Sequence, residues 1–105
     1  MNVQFTARHF HGSDTLKATV IARAEDLTRY YENITSAHII LDAEDELRKK
    51  AEIVLNTKRK SITGKATDEK LGAAIDAAFD KVERQLKKLN SKVKDHKEVG
   101  LKGSL

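Results

Sequence analysis

The chain has 105 residues, the length of one domain, with 34% of them charged and 39% hydrophobic, a balance that allows a modest core and excludes a disordered chain. It holds no Cys, Pro or Trp, which excludes disulfides, a thiol nucleophile and a thiolate metal site and fits a reducing compartment. The net charge of +4 is unevenly spread: residues 1–57 carry 7 basic and 9 acidic side chains, residues 58–105 carry 13 and 7, so the second half points to a polyanionic partner or to a solubilising surface.

Val3, Phe5 and Ala7 alternate with Gln4, Thr6 and Arg8, the period of a strand. Gly12 breaks it, Ser13 can cap a helix, and Asp14 suits the positive end of the helix dipole. From Asp14 to about Glu32, Leu16, Val20, Ala24, Leu27 and Tyr31 recur at spacings of three and four, which predicts an amphipathic helix stopping near Asn33. Ala37 to Asp42 reads as a second strand and Asp42 to Glu46 as an acidic turn. Leu47 to Leu55 is a third strand with Ala51, Ile53 and Leu55 on one face. Asn56 to Lys60 is a polar hairpin turn. Lys60 to Ala66 follows as a fourth strand, with Ile62, Gly64 and Ala66 inward and Ser61, Thr63 and Lys65 outward. Thr67 or Asp68 caps the last helix, whose stripe is Leu71, Ile75, Ala78, Phe79, Val82, Leu86 and Leu89. The stripe fades after Asn90. The expected domain is 1–95, with a basic tail at 96–105. The fold class is α+β in the order β-α-β-β-β-α: a four-stranded mixed sheet with its first two strands parallel and both helices on one face.

On the last helix Lys81, Arg84, Lys88 and Lys92 stand three, four and four residues apart, so they project as one row, with Lys87 beside it and Lys94 beyond. Each can reach a phosphate oxygen. The same row also reads as an ordinary solvated face, with Asp80 and Glu83 offering partners to Lys87 and Arg84. Lys58, Arg59 and Lys60 form a second cluster at the hairpin tip, either an RNA contact or a protected turn. Lys17, Arg23 and Arg29 form a weaker set on the first helix. Tyr30 and Tyr31 could stack on bases, although one of them fits the core better.

Other chemistry finds little support. His9 and His11 stand two apart without a third ligand, and Asp42 to Glu46 lacks calcium-loop spacing. There is no phosphate-cradling glycine loop and no Ser/His/Asp arrangement. No catalytic site, cofactor or metal is therefore expected. Nor is a small-molecule substrate or a membrane segment, since no apolar run nears the roughly 20 residues of a span, and residues 1–10 are too polar for a signal peptide. The default location is cytoplasmic.

Ala73-Ala74-Ile75-Asp76 followed by Asp80-Lys81-Val82-Glu83-Arg84-Gln85-Leu86-Lys87-Lys88 resembles the signature of the ribosome hibernation promoting factor family. Phe5 to Leu16 is similar to that family's first strand, turn and helix cap, and His38 to Leu41 to its second strand, so the likeness covers residues 1–95. It implies a fold like that of double-stranded RNA-binding domains and a chain that is a monomer off the ribosome. It also implies binding to the small ribosomal subunit and its 16S rRNA, in the channel for mRNA and tRNA, which inhibits translation under stress or in stationary phase. By that resemblance Lys81, Arg84, Lys87, Lys88 and Lys92 would contact rRNA, with Lys17, Arg23 and Lys65 as lesser contacts. Lys70 and Gly72 stand where the family usually has Asp and an aromatic. The chain ends before the second domain of long members, so it resembles the short, ribosome-associated-inhibitor type. A generic double-stranded RNA binder and a protein-interaction module are the alternatives.

Overall fold

The structure is a computed structural model that describes residues 2–31 and 33–103, with side chains as far as Leu89. Its elements are β1 (Asn2–Arg8), α1 (Asp14–Tyr30), β2 (Ile34–Asp42), β3 (Lys49–Thr57), β4 (Ser61–Asp68) and α2 (Leu71–Gly103), the expected order. The strands lie in the order β1-β2-β3-β4. β1 pairs parallel with β2, and the two later pairings are antiparallel.

Period-two patterning decides which side of the sheet is covered. One register row runs Phe5, Ile39, Ile53, Gly64 across all four strands. The rows beside it hold Ala37 with Leu55 and Ile62, and Leu41 with Ala51 and Ala66. These side chains meet Val20, Ala24 and Leu27 of α1 and Ala74, Ile75, Ala78, Phe79, Val82 and Leu86 of α2 in a single core. Each large member removed from water contributes roughly 1.5–3 kcal/mol. α1 lies over β1 and β2, and α2 over β3 and β4. The helices therefore share one face of the sheet, and among the described residues the other face, carrying Thr6, His38 and Lys65, has no helix on it.

Gly64 sets how close α2 comes. A Cβ built there would lie 2.5 Å from the Ala78 carbonyl oxygen and 2.8 Å from Val82 Cγ1. The helix thus rests on bare backbone, a close approach that only glycine permits.

The boundaries carry the differences from expectation. Ser13 caps α1 as expected, its Oγ accepting from the Leu16 N–H at 3.1 Å. β2 begins at Ile34, earlier than Ala37, because Ile34 is buried in the core. β3 begins at Lys49, and Leu47 is 68% exposed. The cause is Asp45, whose carboxylate accepts from the Leu47 N–H and whose carbonyl accepts from the Arg48 N–H, curling that segment into a turn. Thr67 and Asp68 do not cap α2, because both are paired with β3, opposite Lys50 and Lys49. Asp68 instead accepts from the Lys70 N–H at 2.9 Å, and the Ala74 N–H reaches the Lys70 carbonyl at 3.1 Å, so α2 starts at Leu71. The backbone of α2 continues past Asn90 to Gly103. The expected tail, 96–105, lies outside the residues whose side chains are described.

Candidate nucleic-acid interface

β4 is an edge strand, and an edge strand presents unpaired backbone groups that attract other chains. Two of its carbonyls are occupied by α2. Lys81 Nζ donates to the Lys65 carbonyl at 2.6 Å, and Gln85 Nε2 donates to the Thr63 carbonyl at 2.9 Å. These bonds show which flank of the helix lies along β4. Helical spacing then carries Lys88 onto the same flank, three residues after Gln85. There Lys88, Gln85 and Leu89 form one wall of a shallow hollow whose other wall is Lys60.

Lys60 belongs to the β3–β4 hairpin tip, which is a built turn. Thr57 Oγ1 accepts from the Arg59 and Lys60 N–H groups at 3.1 and 3.0 Å, and its hydroxyl donates to the Lys60 carbonyl at 2.8 Å. The Lys58 N–H donates to the Asn33 carbonyl at 3.1 Å, tying the tip to the α1–β2 connection. Lys58, Arg59 and Lys60 are all exposed. Two clusters that look independent in the sequence are thus one basic surface along the β4 edge: Lys81, Arg84 and Lys88 from α2, and Lys58, Arg59 and Lys60 from the tip. What unites them is the seating of α2 against β4, a contact between residues 22 apart in the chain that helical periodicity alone does not encode.

The other expected contacts sort by place. Arg84 is 3.0 Å from Asp80, with its side chain 77% exposed. Such an exposed helical pair is worth about 0.3–0.5 kcal/mol and yields readily to a phosphate. Lys87 lies 3.9 Å from Glu83. Lys87 is two residues from Gln85, about 200° around the helix, so it belongs to the flank turned away from β4. The Tyr31 hydroxyl titrates above its ordinary range, first because the ring is partly buried and then because Glu83 is near. Lys65 sits on the helix-free face, 3.8 Å from Glu52. Lys17 is exposed on α1, across the helical layer from the β4 edge. Arg23 is already engaged: it lies 2.5 Å from Asp76 and its guanidinium sits 4.6 Å over the Phe79 ring. It ties α1 to α2. The Lys92 side chain lies outside the described residues.

The β2–β3 turn, at the end of the sheet opposite the tip, has the reverse charge. Asp42, Glu44, Asp45 and Glu46 gather there, bordered by Arg48 and Lys50. His9, in the left-handed region at φ 63°, donates from Nδ1 to Asp42 Oδ1 at 3.0 Å, and the same oxygen accepts from the Glu44 N–H at 2.9 Å. The backbone N–H of Glu44, and after it the His9 bond, hold the Asp42 carboxyl below the usual carboxylate range. The histidine pair of the sequence is therefore divided. His9 joins Asp42 and Glu44, with ligand atoms within 4.8 Å of one another, and His11 is not in that group. Among the described residues no polar or charged side chain is buried, and no helix is long and apolar enough to cross a membrane.

Comparison with known proteins agrees over nearly the whole chain. Residues 3–94 match the family described as sigma 54 modulation protein / S30EA ribosomal protein. The ribosome hibernation promoting factor of Azotobacter vinelandii is 32% identical over 92 residues, covering 88% of this chain and 85% of that protein. The factor of the same name from Pseudomonas putida is 30% identical over 92 residues, covering 88% and 89%. The N-terminal domain of Thermus thermophilus Protein Y superposes with a TM-score of 0.75 at 27% identity, covering 85% of this chain and 99% of that one.

Proposed function

The chain belongs to the sigma 54 modulation protein / S30EA ribosomal protein family, and from that premise we propose that it is a ribosome hibernation factor. It binds the small ribosomal subunit in the channel for mRNA and tRNA, and it inhibits translation by occupying that space. Binding is electrostatic and shape-driven, no bond is made or broken, and the site of action is the cytoplasm. The observation that supports this best is the continuous basic surface along the β4 edge. Its cations are exposed; the Asp80–Arg84 pair is weak, and Lys81 is held by the neutral Lys65 carbonyl, which leaves its charge uncompensated. A-form RNA is read through phosphates and 2′-hydroxyls across a broad surface of this kind. In this reading Lys81, Arg84, Lys88, Lys58, Arg59 and Lys60 form the centre of the contact, with Lys65, Lys87 and Lys92 at its margin. Lys17 could add a separate phosphate contact. Arg23 serves chiefly to hold the helices together.

The test is co-sedimentation of the purified chain with ribosomes at low and high salt, with and without mRNA and initiator tRNA. The chain should travel with the small subunit and be displaced by salt, because each phosphate contact releases counterions, and by mRNA with tRNA. The variant Lys81→Glu/Arg84→Glu/Lys88→Glu should remain at the top of the gradient while keeping its circular dichroism spectrum. Undiminished sedimentation of the folded triple variant would sink the reading. Equal affinity of the wild type for random duplex RNA and for small subunits would replace it with a general double-stranded RNA binder.

A further inference from the structure

Among the described residues two large apolar side chains stand exposed, Tyr30 at 74% and Leu47 at 68%. Leu47 lies in the acidic turn. Tyr30 is the last residue of α1, at the end of the molecule where the basic surface begins. Its neighbour Tyr31 continues the buried stripe of Val20, Ala24 and Leu27 and packs against the core. Tyr30 is one residue off that stripe and points into water. It stands two helical turns after Arg23, hence on the flank of α1 that faces α2. Three residues on, the Asn33 carbonyl holds the Lys58 N–H of the hairpin tip. On the α2 side, Lys87 adjoins Lys88, which lines one hollow with Lys60 of the tip, so Lys87 stands at the same end. The Tyr30 hydroxyl makes no hydrogen bond among the described residues, so neither the core nor a polar network accounts for this ring.

We propose that Tyr30 is a stacking platform for an unpaired nucleobase of the bound RNA, with Lys58 and Lys87 neutralising the phosphates on either side of it. This rests on the ribosome-binding reading and sharpens it, since the RNA engaged at this end is then a single-stranded or bulged element, whereas the β4 edge meets paired RNA. A base stacks on any aromatic face, and cations beside the ring hold the backbone that carries the base. Among the described residues Tyr30 is the one Phe or Tyr ring that stands exposed.

The chain contains no tryptophan, so Tyr30→Trp introduces a single indole at this position. An exposed site should accept it without loss of fold. Titrated with purified small ribosomal subunits, the indole emission should be quenched, as stacking on a base requires. Tyr30→Phe should bind subunits as the wild type does. Tyr30→Ala should bind roughly five- to a hundred-fold more weakly, the span expected for one stacked base. Wild-type affinity in Tyr30→Ala would overturn the proposal. So would an indole emission that shifts to the blue without quenching, which would place the ring against protein. If the wild type fails to bind subunits at all, the ribosome reading falls and this one falls with it. If the wild type binds and Tyr30→Ala binds equally, stacking alone is lost.

Discussion

A methyl group added at Gly64 would meet the Ala78 carbonyl at 2.5 Å, and that oxygen belongs to a helix backbone that cannot swing aside. Gly64→Ala should therefore destabilise the fold by about 1–3 kcal/mol, the range for overpacking a filled core. It should appear as a lower urea midpoint at unchanged slope; a midpoint equal to the wild type would mean that α2 can lift from β4 at little cost. His9 and Asp42 form a second local device, joining the ends of β1 and β2. Asp42 is held below its ordinary range. A carboxyl whose folded pKa is lowered adds stability that is fully present above its unfolded pKa and is lost as the pH falls through the folded one. The acid limb of a stability curve should thus include Asp42 only below the ordinary carboxylate range. Carbon-detected NMR titration of His9→Ala should raise the Asp42 midpoint part of the way. The recovery is partial because the Glu44 N–H, the larger cause, remains. An unmoved midpoint would remove His9 from the account.

The elements themselves were legible where a single period governs them. Alternation placed Ile53 and Ile62 in the core, and the three–four stripe placed Phe79, Val82 and Leu86 there. Boundaries were less legible, because competing local bonds decide them: Asp45 takes Leu47 out of β3, and pairing with β3 takes Thr67 and Asp68 away from α2. The basic row was read from helical spacing. Its junction with the hairpin tip was not, since that depends on how α2 is seated on β4. Nor could spacing reveal that Lys81 and Gln85 also seal a strand edge. Gln85→Ala removes one seal without changing charge. It should lower stability by roughly 0.5–1.5 kcal/mol, raise self-association through the bared β4 edge in light scattering, and leave sedimentation with ribosomes intact. Loss of ribosome binding in that variant would show that edge geometry, beyond charge, builds the contact.

At the scale of the whole molecule the two hairpin turns lie at opposite ends of the sheet and carry opposite charge, basic at Lys58 to Lys60 and acidic at Asp42 to Glu46. A polyanion draws in the first and repels the second, so the chain approaches in one orientation before any close contact forms. The connectivity has a consequence of its own for the order of assembly. β2, β3, β4 and α2 follow one another through short connections, each pairing with or packing on its predecessor. β1 joins only β2, in parallel, and only after α1 has crossed between them. Closing that long loop delays its contacts. The three-strand meander with α2 is then the early unit of folding, and β1 with α1 docks last and detaches first. Native-state amide exchange should find the β1 amides opening at a lower free energy than those of β3. Equal protection of the two strands would make the chain a single cooperative unit.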